Sequence, residues 1–287
     1  MRWLITGASG FLGANAARVL SADADVVGLV RSGEPLPWCS QVVAADLLDS
    51  NSLQAAVQDA EPDVVLHCAA MADHRVCEAD EAMAMRINAD ASGVLASAAA
   101  FVGAGFVYVS TDAVFSGERG WYHEDEPVSP TGAYGRSKAA GEEAVRAGHD
   151  SAVIARTNFF GWSPSGQRSI LEFFVHELGA GNRVRGFVNY TVTSLFVEDV
   201  VESITGIVES GESGVFHVVS EDAVPKAEFG RMVAGEFGLD ASLIDPVQME
   251  GPAKDLSLRS GRLAALRGAP MPTQADGVVR AKTSERF

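Results

Sequence analysis

The sequence predicts an α/β fold: a doubly wound parallel sheet with helices on both faces and a smaller C-terminal α/β lobe. Two observations carry that reading. Short, continuously apolar runs alternate with helical stretches of ten residues or more, as expected for parallel strands buried on both faces. A glycine-rich turn, Thr6–Gly13, follows the first apolar run directly and leads into an Ala-rich helical pattern, which is how such folds begin.

In chain order, Trp3-Leu4-Ile5 is the first strand and Phe11–Leu20 the first helix. Val26–Val30, Gln41–Ala44 and Val64-Val65-Leu66 are the next strands. The apolar stretch from Val94 to Val109 is broken by Gly103 and Gly105. It therefore reads as a buried helix ending at glycine and then the strand Phe106–Val109, not a membrane span. A helix from Tyr134 to about Arg146 and a strand at Ala152–Ala155 complete the first lobe. Beyond it, Ile170–Leu178, Phe196–Val208 and Lys226–Phe237 have helical periodicity and Val215–Val219 is a strand candidate. The segment after Gly268 has little periodicity and a polar end, so only its last few residues are expected to be mobile. The expected division is a dinucleotide-binding lobe over residues 1–160, with 187–208 returning to it, and a smaller substrate lobe over 161–186 and 209–287.

The 287 residues carry 22 Lys+Arg against 38 Asp+Glu, a net charge of −16. That balance argues against nucleic acid, whose phosphates require clustered cations, and against an anionic membrane surface. Three cysteines, Cys39, Cys68 and Cys77, make no disulfide framework. With no signal-peptide pattern at the N-terminus, the expectation is a cytoplasmic protein. His67, Cys68, His74 and Cys77 lie close in sequence. Adjacent residues at a strand end point to opposite faces, so no metal site is expected there.

In the glycine turn, Gly7 permits the tight bend, Gly10 lets the backbone approach a pyrophosphate, and Gly13 lets helix and strand pack closely. The helix N-terminus, at Ser9, Phe11 and Leu12, supplies free N–H groups for phosphate. After the second strand comes Arg31-Ser32, with no carboxylate before Glu34. Arg accommodates a 2′-phosphate where an acidic residue would bind a 2′-hydroxyl, so NADP(H) is favoured over NAD(H). Asp46-Leu47, after the third strand, can place a carboxylate near the adenine amino group. A helix N-cap is the competing role for Asp46 or Asp49.

Tyr134 and Lys138 are four residues apart, on one helix face. Thr111 closes the strand before them, where doubly wound folds place ligands. Hydride arriving at a ketone carbon creates an alkoxide that needs a proton. A tyrosine hydroxyl can give it, and a nearby ammonium brings its ordinary pKa of about 10 closer to neutrality. Thr111 would hold the carbonyl oxygen and Lys138 could also grip the nicotinamide ribose.

These motifs, in order, resemble the extended short-chain dehydrogenase/reductase family: TGASGFLG at Thr6, HCAA at His67, INADASG at Ile87, YVSTDAVFSG at Tyr108 and YGRSK at Tyr134. The resemblance covers Met1 to about Leu266. Within that family the branch of the 4-dehydrorhamnose reductases is the most similar, through Ser110–Gly117, Glu124–Pro127 and Tyr134–Lys138. It implies a Rossmann lobe, a sugar-nucleotide lobe and NADPH-dependent reduction of a nucleotide-linked keto-deoxysugar. It assigns catalysis to Thr111, Tyr134 and Lys138, and adds Cys68, Ala69, Ala70 and Thr157 to the cofactor residues. Asp112, Phe115, Asn158, Arg168, Arg183 and Arg185 are the candidate substrate contacts, with Arg156-Thr157-Asn158 expected along the nicotinamide end. The chain departs from the pattern on the substrate side: Ala113 replaces a tyrosine, Thr193-Ser194 a Pro-Thr, and Lys254-Asp255 an Arg-Pro. The Asp-Glu pair of the related dehydratases reads Asp112-Ala113, which sets dehydration aside.

Two alternatives stay open at this point. The sequence also resembles the NADP-binding regulatory subunit of methionine adenosyltransferase, through NADASG, VSTDAVFSG and GVFHVVSEDAVPKAEFG. An NAD-dependent sugar-nucleotide epimerase is the other, against which Arg31 argues. A homodimer through Ala91–Val102 is a further expectation, and packing of those residues on the sheet is an equal explanation.

Overall fold

The computed structural model describes residues 1–287. Six strands of the large sheet are β1 Arg2–Thr6, β2 Asp25–Val30, β3 Gln41–Ala44, β4 Val64–His67, β5 Gly105–Thr111 and β6 Val153–Thr157. The seventh is Gly214–Val218, and the order runs Gly214–Val218, β6, β5, β4, β1, β2, β3. Every neighbouring pair is parallel. The strands are short and rich in Val, Ile and Leu because both faces are covered. Trp3 and Ile5 join the core on one face, with Val26, Leu66 and Val107. Leu4 joins the other, with Val27, Val65 and Phe106. Each such side chain, taken fully out of water, contributes about 1.5–3 kcal/mol before entropy is subtracted.

The chain reverses its direction of winding between β1 and β4, and this opens a crevice at their C-terminal ends. Around the sheet lie α1 Phe11–Leu20, α2 Ser50–Ala60, α3 His74–Ala79, α4 Glu81–Met85, α5 Ala91–Val102 and α6 Ala133–Gly148. Asp49, not Asp46, caps α2 by accepting from the N–H groups of Asn51 and Ser52. The helix α5 ends at Gly103, whose φ of 77° is left-handed, as its sequence leads one to expect. Its Ala91, Leu95, Ala96, Ala98 and Ala99 are in the core.

Two expectations for the second half are corrected. The strand around Val215–Val219 belongs to the large sheet, pairing with β6, and not to a separate small-lobe sheet. The polar end is helical from Gln274 to Thr283, preceded by Gly261–Arg267. Thr273 and Asp276 form a reciprocal capping box at its start, so a local signal was present despite the weak periodicity. Trp162 Nε1 donates to the Ala281 carbonyl at 2.7 Å, and a Cβ on Gly277 would lie 2.7 Å from the Phe160 ring. Phe287 packs edge-on against Trp38. Smaller sheets pair Val184–Phe187 with Ile244–Val247, and Tyr190–Val192 with Val224–Pro225 and Lys254–Asp255. No helix is long and apolar enough to cross a membrane.

Candidate active site

One cleft of about 670 Å³ runs across the C-terminal ends of β1, β2, β4 and β5. One half of it is built by the glycine turn. Gly7 has φ +66°, and a Cβ there would stand 2.9 Å from the Ala69 backbone. A Cβ on Gly13 would stand 2.2 Å from the Gly7 carbonyl oxygen, so only glycine lets α1 start this close to β1. The helix opens at Gly10 with no side-chain cap, which leaves its first N–H groups free to meet an anion.

The same floor is fastened from beneath by His67. Its Nδ1 lies 2.6 Å from Thr6 Oγ1 and its Nε2 lies 2.9 Å from Ser92 Oγ. Burial, reinforced by the Lys138 charge, drives its pKa down to about 3, so the ring is neutral and structural. Thr6 Oγ1 in turn accepts from the Ala69 N–H at 3.1 Å, tying the HCAA segment to the glycine turn. Cys77 Sγ donates to the Met71 carbonyl at 3.3 Å. His67 and Cys77 are thus committed to separate partners, and no group of three metal-binding side chains forms.

Fifteen of the sixteen expected cofactor residues line this cleft: Gly7, Ser9, Gly10, Phe11, Leu12, Gly13, Arg31, Asp46, Leu47, Cys68, Ala69, Ala70, Tyr134, Lys138 and Thr157. Ser32 is exposed and off the wall. Thr157 Oγ1 is buried without a hydrogen-bond partner in the protein. An uncapped helix start, an unpaired buried hydroxyl, and an exposed arginine and a carboxylate (Arg31 and Asp46) on the same wall fit the donor and acceptor pattern of a bound dinucleotide. Sequence reasoning missed Ala72, Ile87 and Phe159, which also form the wall. Phe159 meets Phe11 edge-on at 5.1 Å. Their contribution is shape, which no motif records.

At the far end stand Thr111, Tyr134 and Lys138, all on the cleft wall. They come from the end of β5 and the first turns of α6. Lys138 is buried, and its Nζ lies 3.9 Å from the Tyr108 ring centroid. Burial lowers its pKa to about 7, with Glu142 and Cys68 opposing. The expected lowering of the tyrosine by an adjacent ammonium is not what this arrangement does. Burial pushes the Tyr134 hydroxyl up, the Thr111 side chain pulls it back, and Asp112 and Cys77 push it further. Tyr134 is therefore held as the protonated acid. His74 packs against its ring at 4.7 Å between centroids.

The expected substrate contacts divide. Arg168 lines the cleft. Arg183 does not: it is ion-paired with Asp245 on the surface between the small strands. Arg185 is exposed beside Phe187. Phe115 is a core side chain, stacked on Tyr122 at 4.3 Å, with the Arg156 guanidinium 5.1 Å from its ring centroid. Asp112 is buried, and Asn158 donates to it at 2.7 Å instead of facing the cleft wall. Arg156 is inside β6 and buried against Glu142, so of Arg156-Thr157-Asn158 only Thr157 lines the cleft. Ser194, at one of the departures, donates to Asn158 Oδ1 at 2.6 Å.

Comparison with known proteins places this geometry. The chain is 34% identical over 84% of its length to a probable low-salt glycan biosynthesis reductase of Haloferax volcanii, 82% of which is covered. It is 32% identical over 93% of its length to dTDP-4-dehydrorhamnose reductase of Mycobacterium tuberculosis, covering 87% of that protein. Subunit beta of methionine adenosyltransferase 2 from Pongo abelii is 30% identical over 86% of this chain and 75% of its own. The crystal structure of dTDP-4-dehydrorhamnose reductase from Bacillus anthracis in complex with NADP superposes with a TM-score of 0.88, at 25% identity and 98% coverage of both chains. The model of the RmlD substrate binding domain matches residues 1–266, and the chain belongs to that family.

Proposed function

We propose that the protein is an NADPH-dependent ketoreductase of a nucleotide-linked keto-deoxysugar. The observation that carries this reading is the meeting of an uncapped glycine-turn helix and the Thr111, Tyr134 and Lys138 side chains in one cleft. The relatives that are dTDP-4-dehydrorhamnose reductases support it. Arg31 on the cleft wall, with no carboxylate ending β2, supports NADPH over NADH. Gly7–Gly13, Arg31, Asp46 and Thr157 would hold the dinucleotide.

When bound, the nicotinamide supplies a hydride to the carbonyl carbon. Tyr134, kept protonated by burial, gives its proton to the carbonyl oxygen as charge develops there. Lys138 lines the same cleft, where its ammonium would hold the nicotinamide ribose. Arg168 stands as the cleft's second-lobe cation for a substrate phosphate. Ala69, Ile87 and Phe159 add apolar wall to the same cleft.

The test is consumption of NADPH and NADH against a panel of nucleotide-bound and free keto-sugars. NADPH oxidation on a nucleotide-linked 4-keto-6-deoxysugar is expected. No turnover on any keto-sugar, with a stoichiometric partner retained in purification, would support a regulatory subunit instead.

A further inference from the structure

Asp112 adjoins Thr111, yet it is 4% exposed and contributes nothing to the cleft wall. Both its carboxylate oxygens are engaged. Thr111 Oγ1 donates to Oδ1 at 3.0 Å, and Asn158 Nδ2 donates to Oδ2 at 2.7 Å. The amide of Asn158 is held in that sense, because its Oδ1 accepts the Ser194 hydroxyl at 2.6 Å and its main-chain carbonyl accepts the Leu195 N–H at 2.8 Å. Thr111 Oγ1 also accepts from the Ala113 N–H at 3.2 Å.

A hydroxyl has one hydrogen to give. Asp112 and Tyr134 both draw on the Thr111 hydrogen; while Asp112 is ionised, the hydrogen is held by its Oδ1 at 3.0 Å, and Thr111 offers the cleft only a lone pair. A ketone oxygen, itself an acceptor, gains nothing from that lone pair. We propose that Asp112 is a positioning residue that sets the direction of the Thr111 hydroxyl, an inference that rests on the ketoreductase reading. Ionised, it keeps the hydrogen of Thr111 out of the cleft. Protonated from solvent, its own O–H donates to Thr111 Oγ1, and the Thr111 hydrogen turns to the substrate carbonyl. One proton is taken up to form the carboxyl O–H, the Thr111–Asp112 hydrogen bond reverses direction, and a new one forms from Thr111 to the substrate.

The surroundings keep both states within reach. Burial raises the Asp112 pKa, while Asn158, Thr111, Lys226 and the Ala113 N–H lower it. Tyr134 and Tyr190 are the other titratable groups facing it. Asp112 thus acts on the reaction through Thr111 and is not a contact for the sugar.

Carboxyl ¹³C NMR of the ligand-free protein tests the coupling without turnover, with Asp112→Asn identifying the signal by its loss. The Asp112 midpoint is expected above the ordinary aspartate range. It should move upward in Thr111→Val, which removes a donor to the carboxylate, and return in Thr111→Ser. An identical midpoint in wild type and Thr111→Val overturns the proposal. In steady-state kinetics, wild-type kcat should fall about 100- to 1,000-fold as pH rises through that midpoint, the scale of losing one donor to a developing oxyanion. Asp112→Asn should flatten this limb with KM unchanged, and Thr111→Val/Asp112→Asn should be no slower than Thr111→Val. A raised KM with the limb intact would make Asp112 a substrate contact and overturn the proposal. If no keto-sugar is reduced at any pH, the ketoreductase reading falls, and the NMR midpoints still decide the coupling.

Discussion

Glu142 and Arg156 form a two-point ion pair whose side chains are 1% and 3% exposed. Arg156 Nε donates to Glu142 Oε1 at 2.9 Å and Nη2 donates to Oε2 at 2.8 Å. Ser110 Oγ adds a third bond to Oε1 at 2.7 Å. The pair joins α6, β5 and β6, the elements carrying Tyr134, Thr111 and Thr157, and Glu142 is one helical turn from Lys138. Removing one partner strands the other charge in a low dielectric. Glu142→Gln should lower stability by about 3 kcal/mol in urea denaturation, whereas the paired change Glu142→Met/Arg156→Leu should cost much less. Equal losses in the two variants would show that packing, not charge, fixes the junction.

Tyr134→Phe removes the acid and leaves the wall in place. Turnover should drop by about 10²- to 10⁴-fold, while NADPH affinity, followed by the cofactor's fluorescence, stays within about twofold. Unchanged turnover would remove the tyrosine from the mechanism.

Lys138 makes cofactor binding depend on pH. With its pKa near 7 from burial, the ammonium is present below that value and lost above it. NADPH affinity should weaken about tenfold between pH 6 and 8.5, the worth of one charge-assisted hydrogen bond, and Lys138→Met should show no such slope. The linked stability change has the opposite sense. The unfolded chain keeps this proton up to 10.5, so it binds more protons between about 7 and 10.5. Folding therefore gains from this group as pH rises through that window.

Two glycines of one turn should fail differently. Gly13→Ala puts a methyl 2.2 Å from a carbonyl oxygen in the junction of α1 and β1. It should cost about 1–3 kcal/mol or more in thermal or urea unfolding. Gly10→Ala meets only the Gly7 carbonyl oxygen, at 3.0 Å. Its fold should survive with a small loss of stability, while NADPH affinity falls because the methyl stands on the anion's path.

Arg31→Ala tests the basis of cofactor choice. Loss of one charge-assisted contact to a 2′-phosphate is worth about 1.5–3 kcal/mol. The NADPH-over-NADH ratio of kcat/KM should fall at least about tenfold, with NADH kinetics nearly unchanged. A constant ratio would assign Arg31 to the solvated surface.

The sequence by itself determined β1 to β6, the glycine turn and the Tyr134–Lys138 face, because each rests on contacts within a few residues: strand runs, caps, and the i,i+4 spacing of a helix. The sixteen expected cofactor residues came from such local motifs, and all but Ser32 lie on the cleft. Even the missed helix Gln274–Thr283 had its local mark in the Thr273 and Asp276 capping box. Tertiary structure alone decided the substrate side. Arg183 looked available until folding brought Asp245 to it from 62 positions away, and Arg156 until Glu142 claimed it. Asp112 turned from the cleft because Asn158, 46 positions on and itself held by Ser194, arrives to donate to it. A charge or hydroxyl is committed by the nearest partner in space, and that partner is fixed only when distant segments pack.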